Sequence, residues 1–98
     1  MSMNYHFEWD PEKAASNLKK HGVSFEDAAE IFSDPLHLSI LDEADENEER
    51  WITLGNTKAY KLRLVVHALM RHHEKQIAIR IISARRATRH EQKQYKEA

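Results

Sequence analysis

Two stretches, residues 61–70 and 76–83, constrain the fold more than any other feature of the chain. Each alternates apolar side chains with residues of another kind, and the second holds four isoleucines, the pattern of strands. Only residues 71–75 separate them, too few for anything but a turn, so the two are expected to pair as an antiparallel hairpin. Residues 50–54 read as a further strand, joined to 61–70 through Gly55-Asn56-Thr57, and residues 37–42 as another. The acidic run 43–49 between them reads as a solvated loop. Near the N-terminus, Tyr5, Phe7 and Trp9 alternate with His6 and Glu8, as in a short strand with one buried face.

Helical signals fill the remainder. Asp10 can accept backbone N–H groups at a helix start, Pro11 suits the first helical position, and Ala14, Ala15 and Leu18 form an apolar stripe. His21-Gly22 closes that helix. Ser24 with Asp27 resembles a capping box for a second one, in which Phe25, Ala28, Ala29 and Phe32 share a face until Asp34-Pro35 ends it. Thr88 with Glu91 is a fuller capping box, predicting a last helix over 89–97. The expected order condenses to β-α-α-β-β-β-α, an α+β domain with a mainly antiparallel sheet packed by the two N-terminal helices.

At 98 residues the chain suits one domain, 1–98, with one modest core. It has no cysteine, which excludes disulfides and thiolate metal sites and suits the cytoplasm. There is no leader pattern, and the longest apolar runs fall well short of the roughly 18 residues of a membrane span, so a soluble, unexported protein is expected. The formal net charge of −1 hides a segregation. Residues 1–49 hold three basic and thirteen acidic side chains, whereas residues 50–98 hold twelve basic and three acidic ones. Such asymmetry points to a nucleic-acid or acidic-partner surface in the second half, or to two halves that neutralise each other on folding.

Strand parity then sorts the candidates. Leu62, Leu64, Val66 and Ala68, with Ile77, Ile79 and Ile81, are expected on the face buried under the first two helices. The other face would carry Lys61, Arg63, Val65 and His67 from one strand and Ala78, Arg80 and Ile82 from its neighbour. Arg85, Arg86, Arg89, His90, Glu91 and Tyr95 follow directly, so basic groups converge from three segments. Cleaving RNA without a metal needs a base near the ribose 2′-OH, an acid near the leaving oxygen and cations for the negatively charged phosphorane. Histidine, glutamate and tyrosine can move the protons, and arginine grips phosphate with two hydrogen bonds. A plain phosphate-binding surface would contain the same residue types.

Other features carry less. His72-His73-Glu74 could suggest a metal, but adjacent histidines on a short turn rarely aim at one ion, and a solvated hairpin tip fits better. The segment 10–32 mimics a helix-turn-helix, yet its acidity would repel DNA phosphates. His21 suits a helix end, and Trp9 and Trp51 suit a core better than a base-stacking role. No glycine-rich phosphate loop or nucleophile elbow is present.

Several of these residues together carry a family resemblance: Phe7-Glu8-Trp9-Asp10, Asn17, Lys20-His21-Gly22, Phe25, Ala29, Phe32, Asp34-Pro35, Glu49-Arg50, Gly55 and the run Arg80-Ile81-Ile82-Ser83-Ala84-Arg85-Arg86-Ala87-Thr88. The chain resembles the BrnT family over nearly its whole length and in the right order. The resemblance implies a RelE-like fold and a toxin of a type II toxin-antitoxin pair whose ribonuclease activity arrests translation. It also implies a BrnA-like antitoxin that binds the toxin and represses their shared operon through its own DNA-binding domain, so that operator DNA is met only indirectly. No cofactor or metal is expected. Residue by residue it points to Arg80, Ser83, Arg85 and Arg86, with Arg50, Arg63 and His67 as sheet neighbours.

The leading expectation is therefore an endoribonuclease whose catalytic residues are drawn from Arg63, His67, Arg80, Glu91 and Tyr95, with Arg50, Lys61, Ser83, Arg85, Arg86 and Arg89 binding RNA. The alternatives are a non-enzymatic module whose basic face docks nucleic acid or an acidic partner, and a structural co-repressor within a DNA-bound complex.

Overall fold

The computed structural model describes residues 4–43, 49–74 and 76–98, with the backbone alone over 70–73. Strand β1 (Asn4–Glu8) leads to helices α1 (Pro11–His21) and α2 (Phe25–Ala29), and α2 tightens into a 3₁₀ turn, Glu30–Ser33. Strands β2 (Leu38–Asp42), β3 (Arg50–Asn56), β4 (Leu62–His73) and β5 (Gln76–Arg86) follow, and α3 (Arg89–Glu97) ends the chain. The α+β class is as expected. The order holds one strand more than β-α-α-β-β-β-α, because each of the four alternating segments after the second helix is a separate strand. They form one sheet in the order β1-β5-β4-β3-β2, with β1 parallel to β5 and every other pair antiparallel.

Local chemistry explains the boundaries. Asp10 accepts the Glu12 N–H at 2.8 Å, Pro11 opens α1, and Gly22 closes it with φ +70°, a left-handed conformation that glycine adopts at little cost. Ser24 accepts the Asp27 N–H at 3.1 Å. The expected helix through Phe32 becomes 3₁₀ after Ala29; with three residues per turn, Ala28 and Ile31 fall on the same side, and both are fully buried. Gly55 belongs to β3 rather than to a turn. A side chain there would stand 3.1 Å from Ile31 and His37, so glycine is what lets the 3₁₀ turn lie against the strand. Strands β4 and β5 extend to His73 and Arg86, so that β4 takes in residues 71–73 of the expected turn. Lys75, the side chains of His72 and His73, and residues 44–48 of the acidic run lie outside the described residues.

Helices α1 and α2 cover one face of the sheet. Val23, Phe25, Ala28, Ile31 and Phe32 pack on Val65, Ile79, Ile81 and Ala84, with Tyr5, Phe7 and Trp9 at the border. This reverses the expected parity of β4. Val65 and His67 face the helices, paired with Ala84 and Ile81, while Leu64, Val66 and Ala68 lie on the outer face beside Arg85, Ser83 and Arg80. The two faces of β4 are almost equally apolar, and His67 is drawn inward by Thr53 and Phe32, which sequence periodicity cannot register.

Strand β5 changes parity part-way. From Val66 to His67 its partners step from Ser83 to Ile81, so Ile82 is an extra residue, a β-bulge. Before it Ile77, Ile79 and Ile81 face the helices; beyond it Ala84 does, and Arg85 turns outward. Beyond Arg80 strand β5 has no β1 residue beside it, and the buried amide of Asn17 takes that place. Asn17 Nδ2 donates to the carbonyls of Ala84 (2.8 Å) and Val23 (3.0 Å), and its Oδ1 accepts the Ala84 N–H (3.1 Å). Replacing Asn17 by Leu strands three buried backbone groups, so urea unfolding should show a loss of about 3 kcal/mol. A loss below about 0.5 kcal/mol, the ordinary range of surface changes, would mean that the bulge holds without this amide.

Candidate functional site

On the outer face one register row crosses the whole sheet: Glu8, Arg80, Ala68, Arg50, Asp42. Two arginines straddle an alanine, and each has a carboxylate neighbour on its other side. Ala68, between Arg50 and Arg80 in this row, is only 3 % exposed, and the Nε of Arg50 is itself buried.

His67 lies on the opposite face and in the core. Its Nε2 is 2.7 Å from Thr53 Oγ1, which is 2.7 Å from Ser39 Oγ, and its ring meets Phe32 edge-on at 4.9 Å. Nδ1 is buried without a partner. Burial, and secondarily the charge of His37, push its pKa down to about 4, so the imidazole is neutral at neutral pH. It therefore shares no face with Arg80 and reaches no open surface.

Arg85 and Glu91 tie α3 to β5. Two guanidinium N–H groups donate to the two carboxylate oxygens at 2.8 Å each, Thr88 N–H donates to the same carboxylate, and the Thr88 hydroxyl accepts the Glu91 N–H. The Arg85 hydrogen bond, opposed by desolvation, pulls the Glu91 pKa down to about 2. Glu91 is thus a fixed carboxylate with little capacity to carry protons at neutral pH, and the expected capping box is present.

The far end of α3 is held by Asp34. The Tyr95 hydroxyl and the Asn56 N–H both donate to Asp34 Oδ2, the Leu36 N–H donates to Oδ1 at 2.9 Å, and Asn56 Nδ2 donates to the Tyr95 oxygen at 3.3 Å. Desolvation would raise the Asp34 pKa, but the hydrogen bonds from Tyr95, Asn56 and Leu36 lower it overall. Burial and then Asp34 itself raise that of Tyr95, which stays a phenol.

Between α3, the ends of β4 and β5 and the 57–61 loop lies an open cleft of about 470 Å³. Lys61, Arg63, Arg86 and Lys96 line it with Asn56, Tyr60, Gln92 and Tyr95, and among the described residues no acidic side chain does. Arg63 and Arg86 are cross-strand partners, and neither has an ion-pair partner among the described residues. Burial, then the charge of Arg86, lower the Arg63 pKa, with Asp27 partly opposing from the far side. Two like charges held side by side on a concave surface form a receptor for an anion.

Of the residues singled out from sequence, the cleft gathers Lys61, Arg63, Arg86 and Tyr95. Arg85 and Glu91 brace its wall, Arg89 is exposed at the first position of α3, and Ser83 lines a groove with α1. Arg50 and Arg80 sit on the outer face and His67 in the core. Sequence reasoning missed Tyr60, Asn56, Gln92, Lys96 and Asp34. Gln92, Tyr95 and Lys96 stand at i, i+3 and i+4 of α3, a shared-face signal that was there to be found. Among the described residues no three His, Asp or Glu side chains gather as metal ligands, and no helix is long and apolar enough to cross a membrane.

Residues 9–91 match the family model described as the ribonuclease toxin BrnT of type II toxin-antitoxin systems. The chain belongs to the BrnT family. Membership implies an antitoxin partner, and the BrnT match contains Lys61, Arg63 and Arg86 but stops short of Tyr95 and Lys96. Among solved structures the chain is similar to the 1.1 Å crystal structure of the Brucella abortus ribonuclease toxin BrnT. The TM-score is 0.57 and the identity 20 %, over 88 % of this chain and 99 % of that one, a likeness of fold. No curated protein matches the sequence.

The buried imidazole makes a pH prediction. Unfolded, His67 takes a proton near pH 6.5; folded, it does so only at about 4. Between these values the unfolded state binds more protons, so stability should fall as pH drops from 6.5 to 4, by about 3 kcal/mol in all, and level off below. Urea titrations from pH 7 to 4 should show His67→Gln losing this part of the slope, and equal slopes would place the proton uptake elsewhere.

Proposed function

We propose that this protein is the toxin of a type II pair and an endoribonuclease that cleaves RNA, and so arrests translation, in the cationic cleft. The observation that carries the reading is the Arg63 and Arg86 pair, cross-strand neighbours without a carboxylate partner among the described residues, in a cleft that also holds Lys61, Lys96 and Tyr95. Attack of a ribose 2′-OH on phosphorus gathers negative charge on the phosphoryl oxygens, and positioned guanidinium groups favour that state over the ground state. These cations can supply that stabilisation without a metal ion. Tyr95 is the group in the cleft suited to proton exchange, oriented by Asp34 and Asn56. Glu91 and Arg85 position the helix that carries it, His67 belongs to the core, Arg50, Arg80 and Ser83 outside the cleft act on the antitoxin, and Arg89 acts on RNA at the start of α3.

The wider reading is a RelE-like cytoplasmic toxin neutralised by a BrnA-like antitoxin, with operator DNA contacted only through that partner. One observation favours the non-enzymatic alternative: among the described residues neither an imidazole nor a carboxylate lines the cleft.

The partner-free protein, Arg86→Ala and Arg80→Ala should be incubated with labelled mixed-sequence RNA in EDTA. The wild type should cut, Arg86→Ala should be slower by about 10²-fold or more, and Arg80→Ala should lose less than about tenfold. Full loss in Arg80→Ala with Arg86→Ala intact would move the chemistry to the outer face. RNA bound but left whole by the wild type, with translating ribosomes included, would establish the binding module.

A further inference from the structure

We infer that Tyr60 is a stacking platform for an unpaired nucleobase at the mouth of the cationic cleft, an inference that rests on the RNA reading above. Among the described residues Tyr60, at 87 %, is the most exposed of the large apolar or aromatic side chains, and none of them makes a ring contact or hydrogen bond with its side chain. Its backbone has φ +59°, a left-handed conformation that glycine and asparagine tolerate and that tyrosine disfavours. The conformation is imposed by the loop. The Thr57 N–H donates to the Lys61 carbonyl (3.0 Å), the Tyr60 N–H to the Thr57 carbonyl (2.9 Å), and the Lys61 N–H to the Thr57 hydroxyl (3.2 Å), around a Thr57 that is itself buried. A disfavoured residue whose ring is spent on solvent is a cost in folding without a return in folding, which points to a ligand.

The surroundings name that ligand. Tyr60 lies between two hollows that share Asn56 and Tyr95 as their common wall. On one side is the cationic cleft with Arg63 and Arg86. On the other is a hollow of about 500 Å³ walled by Pro35 and Leu36, the latter 68 % exposed, with Glu30, Ser33, Asp34 and Lys58 also on its lining. A phosphate on the guanidinium pair leaves an adjacent base beside the Tyr60 ring, with Pro35 and Leu36 as the apolar part of the wall beyond it, and a base stacked on an aromatic ring is how proteins hold single-stranded nucleic acid. Every base has a π face, so this subsite selects unpaired nucleotides without selecting their sequence. A double-stranded RNA, whose bases stay stacked on one another, cannot use it.

The test uses a fluorescent 2′-O-methyl oligoribonucleotide, which lacks the attacking hydroxyl and is not consumed, and its abasic counterpart with the same phosphates. Binding of each is measured for the wild type, Tyr60→Gly and Tyr60→Phe, alongside thermal unfolding. The wild type should prefer the base-bearing oligomer by about tenfold or more. Tyr60→Gly should lose that preference while binding the abasic oligomer as before and unfolding at the same or a higher temperature, because glycine suits the positive φ. Tyr60→Phe should keep the preference. A Tyr60→Gly protein that retains it, or that weakens equally toward both oligomers, overturns the stacking role while leaving the RNA reading intact. A wild type that binds neither oligomer overturns the RNA reading and the platform with it.

Discussion

Where β5 runs past the end of β1, a single buried side chain takes over the work of a neighbouring strand. The Asn17 amide offers one acceptor and two donors in nearly the geometry of a backbone peptide, and it holds Ala84 on both sides just after the extra residue Ile82. Without that bulge Ser83 and Arg85 would continue under the helices. With it, Ala84 fills the core, Arg85 turns outward to meet Glu91, and Arg86 comes beside Arg63 at the sheet's end. One hydrogen-bonded amide thus decides which arginine braces α3 and which enters the cleft. Burial of a polar side chain is tolerated here because all its polar capacity is used.

The wall that depends on this arrangement is an unusual helix. Helix α3 has no buried residue, and its nine residues are too few to be stable in isolation. Three polar devices hold it: the Thr88 and Glu91 capping box, the Arg85 to Glu91 pair, and the Tyr95 hydroxyl on Asp34. A cap contributes about 1 kcal/mol, and the Arg85 to Glu91 pair, bidentate and partly buried, is the strongest of the three. The cationic cleft is therefore bounded on one side by the core of the fold and on the other by an element anchored at two points, each made of groups that titrate or exchange with water.

Much of the fold was legible because its signals are local. The caps at Asp10, Ser24 and Thr88, the stop at Gly22 and the alternation of Ile77, Ile79 and Ile81 each act within a few residues. The parity of β4 was not legible. Leu62, Leu64 and Val66 outweigh Val65 in apolar content, and nothing local shows that His67 would be absorbed by Thr53 and Phe32, both distant in sequence. The same limit applied to the site. Arg63, Arg86 and Tyr95 stood out by residue type, but their separation from Arg80 and His67 follows from a bulge and an interstrand register. Asp34, read as part of a helix stop, gains its second role only when Asn56 and Tyr95 arrive from 22 and 61 residues away.

The central claim is that RNA sits in the cleft at the end of β4 and β5 and not on the outer sheet face. Backbone amide chemical shifts of the isotope-labelled protein, recorded while a non-cleavable 2′-O-methyl oligomer is added, test this without requiring turnover. Shifts should concentrate in residues 56–63 and 86–96, with little change at Ile40, Arg50, Val66 and Arg80. Shifts centred on Arg50 and Arg80 instead, with the 56–63 loop and α3 unmoved, would contradict it.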